Sequence, residues 1–144
     1  MAFKAYENDS GLMVEGDYEV ICLKAREEVT RTTQKPVISF DFQVRSDVEQ
    51  KYQRKHIFKS FYQDESGQWP KEKIGRLANA LGIEKGREFE LSELEGQCCI
   101  LHMKPFTGQD GVARDAIFYA AATKAGQIGG PSGFAKVEDE ELPF

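Results

Sequence analysis

The segment from Val37 to Arg45 constrains the fold more than any other, because its residues alternate strictly between apolar and polar. The apolar side holds Ile38, Phe40, Phe42 and Val44, and the polar side holds Ser39, Asp41, Gln43 and Arg45. Successive side chains of a β-strand point to opposite faces, so the pattern predicts a strand with one buried and one solvated face. Such strands are typical of antiparallel sheets, and the chain is therefore expected to be built on one.

Two further strands are predicted on either side of this segment. The first covers 18–25 and is joined to it by a polar hairpin loop at 30–35. The third covers 51–62 and carries aromatic rings on both of its faces. One face holds Lys55, Ile57, Lys59 and Phe61, and the other holds His56, Phe58, Ser60 and Tyr62. Alternation alone therefore does not tell which face of the third strand is buried.

A helix and two more strands complete the predicted elements. The helix begins at Pro70, where a missing N–H does no harm, and ends near Gly82. Its apolar residues lie at the spacing of one helix face, namely Ile74, Leu77, Ala78 and Leu81. The fourth strand is predicted at 97–104 and the fifth at 112–121, with a turn at 105–111 between them.

The order of three strands, one helix and two strands is that of the OB-fold, a small five-stranded barrel. We therefore expect a mainly β chain with an OB-fold-like antiparallel barrel and one helix between strands three and four. Residues 1–124 form this domain, and 125–144 form a Gly-rich linker with an acidic tail. In such a barrel, a groove across the second and third strands binds oligonucleotides in many families.

Composition supports a single compact domain of 144 residues, of which 40% are apolar and 30% charged. No apolar run is long enough to span a bilayer, and the first seven residues lack the apolar core of a signal peptide. A cytoplasmic protein is expected. The cysteines Cys22, Cys98 and Cys99 are interpreted as reduced packing residues, because neighbours on a strand point apart and cannot clasp one metal. We expect no metal and no cofactor.

The formal net charge of −5 is unusual for a nucleic-acid-binding protein, since most such domains are basic. The charges are segregated, however. Bases cluster at Lys51, Arg54, Lys55 and Lys59, and again at Lys71, Lys73 and Arg76. Because local patches rather than net charge set the field near a phosphate backbone, this distribution leaves nucleic-acid binding open.

The last residues form an acidic tail with an apolar tip. A Gly-rich spacer at 126–133 precedes a run of acids and then a short apolar end, namely Glu138, Asp139, Glu140, Glu141, Leu142, Pro143 and Phe144. Such a spacer is a flexible tether, and a block of like charge stays solvated. The pattern predicts a partner-binding tail whose tip enters an apolar pocket with a basic rim.

This tip resembles the C-terminal tip of bacterial and phage single-stranded DNA-binding proteins, where several acids precede an aliphatic residue, Pro and Phe. Three segments of the body are also similar to small phage-encoded proteins thought to bind single strands, namely 15–20, 47–58 and 77–82. The resemblance implies a bacteriophage protein that binds single-stranded DNA with little sequence preference during DNA replication, recombination or repair. It also implies that the tail recruits partner proteins, and that the protein works in the host cell cytoplasm.

A single strand is held by cations that contact phosphates and by aromatic faces on which bases stack. We expect Lys55, Lys59 and Phe61 to face the groove, with Tyr62 in their place if the other face of the third strand is exposed. Phe40, Phe42 and Trp69 are expected in the core. The complete set of predicted DNA-binding residues is Arg31, Lys35, Arg45, Arg54, Lys55, Lys59, Phe61, Tyr62 and Phe106.

Enzymatic activity is not expected, because neither His56 nor His102 has a Cys or an acid at ligand spacing and no Gly-rich phosphate loop occurs. The main alternative is an OB-like protein-interaction adaptor that binds no nucleic acid and acts through its tail. Net acidity favours the adaptor, whereas the lysines and aromatics of the third strand favour DNA. An exposed edge strand would permit a homodimer, but no residue requires one.

Overall fold

The computed structural model describes residues 2–3 and 12–128 of the chain. They form one five-stranded antiparallel sheet with the strand order β3-β2-β1-β4-β5, and one α-helix. The elements are β1 (Gly16–Val29), β2 (Pro36–Val44), β3 (His56–Tyr62), α1 (Lys71–Ala80), a short 3₁₀ helix (Leu91–Leu94), β4 (Cys98–Thr107) and β5 (Ala113–Ala122). The prediction of a mainly β chain with a helix between strands three and four is confirmed.

The sheet is open. Its edges are β3 and β5, and within residues 12–128 these two strands do not pair with each other. A closed barrel requires a continuous ring of paired strands, so the predicted closure is not present in this part of the chain. The antiparallel pairing itself is found between all four pairs of neighbouring strands.

The first strand is longer than predicted because it serves two partners. Its first half, from Gly16 to Ile21, pairs with β4, and its second half extends the pairing with β2 as far as Val29. A bulge between Cys22 and Lys24 separates the two halves. Bulges bend a strand and increase its twist, and this one lies where β1 passes from pairing with both β4 and β2 to pairing with β2 alone.

The third and fourth strands also differ in extent from the sequence prediction. β3 begins only at His56, because the preceding residues form a turn in which Tyr52 and Arg54 have φ of 63° and 72°. β4 continues to Thr107, so Phe106 lies within a strand rather than in the predicted turn. The helix ends close to the predicted stop, where Gly82 has φ of 110°, a conformation that glycine adopts without a steric penalty.

One face of the sheet forms the core together with α1. The buried residues of this inner face include Val20, Cys22, Phe40, Phe42, Val44, Ile57, Phe61, Cys99, Leu101 and Met103. The helix contributes Ile74, Leu77 and Ala78, and Trp69 packs against the same cluster as predicted. Burying a large apolar side chain stabilises the fold by about 1.5–3 kcal/mol. The period-two pattern of β2 therefore identified the core face correctly.

The three cysteines are buried and unpaired. Cys99 lies beside Val20 on the inner face and Cys98 beside Ile21 on the opposite face, so the expected divergence of the adjacent pair is confirmed. Burial raises the pKa of Cys22 to about 12 and also raises the pKa of Cys98 and Cys99. These thiols are therefore neutral at pH 7 and poor nucleophiles or metal ligands. No helix in the described residues is long and apolar enough to cross a membrane.

Candidate nucleic-acid interface

The face of the sheet that points away from the core, called the outer face, carries exposed aromatic side chains on β3. Phe58 lies beside Asp41 of β2, and Tyr62 lies beside Val37 near the end of the strand. Their side chains are 72% and 56% exposed, respectively. An exposed ring on a flat, solvated strand is available for stacking on a planar ligand.

The opposite face of β3 belongs to the core, which corrects one predicted position. Phe61 is only 7% exposed and packs edge-to-face on Phe40, with ring centres 5.8 Å apart and planes at 85°. The prediction that Phe61 faces a groove is wrong, because β3 is an edge strand and must cover Phe40 from that side. Tyr62, the alternative candidate, takes the exposed position instead.

Lys59 shares a strand face with Phe61 and nevertheless reaches solvent, whereas its place in a groove stays a prediction. Its Nζ lies 5.3 Å from the centre of the Phe61 ring, which is a cation–π distance. Because β3 is an edge strand, the lysine stem lies over the outer rim of the core and the ammonium group stays in water. A cation is thereby fixed alongside the strand that carries Phe58 and Tyr62.

Arg45 is the second predicted residue whose position is wrong. It is 4% exposed and donates two hydrogen bonds to Asp47, at 2.9 and 2.7 Å, and one to the Gly126 carbonyl at 2.7 Å. The hydrogen bonds with Asp47 are the main cause that raises the pKa of Arg45, and they lower the pKa of Asp47. This guanidinium holds the end of β2 against the segment after β5 and has no free donor face for a phosphate.

The remaining predicted cations lie at the two ends of β3. Arg31 and Lys35 are exposed in the loop between β1 and β2, next to the end of β2 that pairs with Tyr62. Arg54 is exposed in the turn before β3, and Lys55 is half-buried at its start. Residues 31–62 contain seven basic and three acidic residues in a chain of net charge −5. Positive charge is therefore concentrated along this part of the molecule.

We call the exposed residues in and around this strand the β3 strip. It consists of Arg31, Lys35, Lys51, Arg54, His56, Phe58, Lys59 and Tyr62. His56 was not predicted as part of the site. Its Nδ1 lies 2.8 Å from Asp41 Oδ1, and its ring stacks on Phe58 with ring centres 5.8 Å apart and planes at 12°. The pairing register that brings Asp41 next to His56 is not visible in the sequence of either strand alone.

A second group of exposed rings lies on the outer face at the other edge of the sheet. This β4–β5 patch consists of His102, Lys104, Phe106, Phe118 and Tyr119. The three carbocyclic rings are 63%, 62% and 52% exposed, in chain order. Only Phe106 was predicted as a site residue. The sequence pattern concealed the others because Phe118 is the extra residue of a bulge that shifts the register between β4 and β5.

Close contacts order the β4–β5 patch. His102 stacks on Tyr119 with ring centres 4.7 Å apart and planes at 3°, and its Nδ1 lies 2.6 Å from Asp17 Oδ1. The Nζ of Lys104 lies 4.9 Å from the centre of the Phe118 ring. His102 is half-buried between Asp17 of β1 and Tyr119 of β5. In the part of the chain that the structure describes, no group of His, Cys, Asp and Glu is arranged to hold a metal ion.

The described contacts of the body continue past the predicted domain boundary to Gln127. The Cys98 amide donates to Gln127 Oε1 at 2.6 Å, and Gln127 Nε2 donates to the Cys98 carbonyl at 2.9 Å. The predicted partner-binding tip, from Glu138 to Phe144, lies outside the described residues.

Comparison with known proteins gives one family match. Residues 4–105 match the model of DUF669, described as a protein of unknown function. No curated protein matches the chain. The matched region extends from before β1 into β4 and contains the complete β3 strip, whereas β5 and the acidic tail lie beyond it.

Proposed function

The chain belongs to the DUF669 family, and we propose that it binds single-stranded DNA with little sequence preference through the β3 strip. The observation that carries the proposal is the exposure of Phe58 and Tyr62 on one face of an edge strand that has cations at both ends. Rings and cations in one line are the two elements that a single-strand binding site combines.

The spacing along β3 suits an extended strand of nucleotides. Phe58 and Tyr62 are four residues apart on the same face, which corresponds to about 13 Å along a strand. Stacking of a base on such a ring contributes about 1–3 kcal/mol and tolerates every base, because each base has a π-face. Lys35 at one end and Arg54 at the other are placed to neutralise phosphates. Lys59 lies between them along β3 and reaches solvent from the opposite face of this edge strand.

The topology supports the same proposal. A long first strand shared by β2 and β4, with a helix after β3, is compatible with the proposal of a partly open OB-fold. Folds of this kind bind oligonucleotides on the face of strands two and three, between the loops that flank them. In this proposal the β3 strip is the corresponding surface, with Arg31 and Lys35 in the loop between β1 and β2.

The wider role rests on the sequence of the tail. We propose that coating of single strands protects them during phage DNA replication, recombination or repair, while the tip from Glu138 to Phe144 recruits partner proteins. A tip with acids and apolar residues is suited to capture in a pocket with a basic rim. The adaptor without nucleic-acid binding is the second candidate, and the net charge of −5 favours it.

The test is fluorescence anisotropy of a short labelled oligothymidine, titrated with the protein at low and moderate salt beside a duplex of equal length. We expect salt-sensitive binding to the single strand and weak binding to the duplex. Phe58→Ala and Tyr62→Ala should each lower the affinity by about 5- to 150-fold, which corresponds to the loss of one stacking contact.

Phe118→Ala is the matched control, because it removes a phenylalanine of similar exposure, 62% against 72% for Phe58, from the other edge of the same face. It should leave the affinity for the short oligonucleotide unchanged. Thermal unfolding verifies that all three variants fold. If the wild-type protein binds neither the single strand nor the duplex, the proposal is refuted and the adaptor remains.

A further inference from the structure

The β4–β5 patch exposes large apolar groups without the charge that a nucleic acid requires. Phe106, Phe118 and Tyr119 are more than half exposed on one continuous face of two paired strands. Residues 98–122 contain two basic and two acidic residues, so this region is neutral. Contiguous exposed rings on an otherwise soluble protein mark an interaction surface. The neutral surroundings favour a protein surface as the partner, because single-strand affinity depends on phosphate neutralisation.

We propose that the β4–β5 patch is the surface through which two copies of this chain associate. An interface with twofold symmetry uses the same patch on both copies, so the patch must complement itself. Lys104 contacts the Phe118 ring and no carboxylate within residues 12–128. Glu15 and Asp17 border the patch, where both contact His102, with 55% and 52% of their side chains exposed. In a twofold dimer, Lys104 of each copy can therefore face Glu15 and Asp17 of the other copy, around the aromatic rings of both.

The available area is consistent with a stable pair. A large aromatic side chain covers about 150–250 Å², so the three rings at their observed exposures offer about 350 Å² per copy, or about 700 Å² per pair. A specific interface buries about 1,200–2,000 Å² in total. The rings therefore supply about half of the required minimum, and Val112, which is 49% exposed, the stem of Lys104 and the adjoining backbone are positioned to supply more.

The test is sedimentation velocity across a wide concentration range, with the complete chain. The wild-type protein should reach twice its mass of 16.3 kDa. Phe118→Glu should raise the dimer dissociation constant at least about 30-fold, because a central aromatic residue of an interface contributes about 2 kcal/mol or more. Lys104→Glu should act in the same direction, since it places like charges opposite the acids of the second copy. Both side chains are exposed, so folding should be preserved, and thermal unfolding verifies this.

Phe58→Glu is the matched control on the other edge of the outer face. It should leave the dimer intact and abolish binding of the short oligothymidine. Phe118→Glu should instead weaken the dimer and leave oligothymidine binding unchanged. A wild-type protein that stays monomeric at every concentration, or a dimer that survives both Phe118→Glu and Lys104→Glu, overturns the inference. DNA binding is measured separately, so a negative result for the dimer does not refute the proposed DNA binding, and a negative result for DNA binding does not refute the dimer.

Discussion

The two edges of the outer face carry the same local arrangement in different surroundings. On β3, the carboxylate of Asp41 holds His56, whose ring lies on Phe58. On β4 and β5, Asp17 holds His102, whose ring lies on Tyr119. Residues 31–62 have an excess of four positive charges, whereas residues 98–122 have none. Exposed rings make each edge a candidate interaction surface, and the difference in charge is the reason that we propose a nucleic acid for one edge and a protein for the other.

A sharper contrast lies within β3, where neighbouring rings have opposite roles. Phe61 packs on Phe40 in the core, and Phe58 projects into solvent three residues earlier. Phe61→Ala should lower the free energy of unfolding by about 3–4 kcal/mol, because it removes buried surface and leaves a cavity. Phe58→Ala should change it by less than about 0.5 kcal/mol, as expected for an exposed position. Urea unfolding followed by circular dichroism measures both. Equal losses would show that β3 has no exposed binding face.

Arg45 tests whether a predicted phosphate ligand is instead part of the scaffold. Arg45→Met removes donors from Asp47, from the Gly126 carbonyl and from Thr123. We expect a loss of about 2–3 kcal/mol in unfolding free energy, since hydrogen bonds to charged groups are strong. The largely buried Glu19 carboxylate also loses the cation that lies 3.8 Å away. The control is Arg26→Met, an exposed arginine paired with Glu95, which should cost less than about 1 kcal/mol.

The loss in Arg45→Met should also depend on pH. Arg45 holds the pKa of Asp47 below its ordinary value of 3.8, so the ionised carboxylate favours the folded state. That contribution is complete above the ordinary pKa and disappears as the pH falls through the lower, folded-state pKa. The stability difference between wild type and Arg45→Met should therefore be largest near neutral pH and decrease below about pH 4. A difference that stays constant down to pH 2 would contradict the assigned ion pair.

Sequence alone predicted the buried face correctly where apolar residues occur on only one side of a strand. In β2 only one side is apolar, so Phe40 and Phe42 were correctly placed in the core. In β3 both faces carry rings, so the sequence of this strand does not show which face is buried. The pairing of β3 with β2 decides it, because one face of β3 must cover Phe40. Arg45 follows the alternating pattern of β2 but stands one residue beyond the strand, where Asp47 and the chain after β5 surround it. The β4–β5 patch was missed because its bulge breaks the alternation.

Single lysines provide the smallest and most specific test of the difference between the two edges. Each phosphate neutralised by a lysine adds about 0.7 to the slope of log affinity against log salt for a single strand. Lys59→Ala should therefore reduce the magnitude of this slope by about 0.7 and lower the affinity for oligothymidine about fivefold at a salt concentration of about 0.1 M. The measurement is anisotropy repeated at several salt concentrations.

Lys104→Ala is the counterpart at the other edge, because this lysine also lies over a phenylalanine ring and differs only in its surroundings. If the β3 strip follows the phosphates and the β4–β5 patch does not, Lys104→Ala should leave the slope unchanged within error. An equal reduction of the salt slope in both variants would mean that the single-stranded DNA contacts both edges of the sheet. The charge difference between the two regions would then no longer separate a nucleic-acid surface from a protein surface.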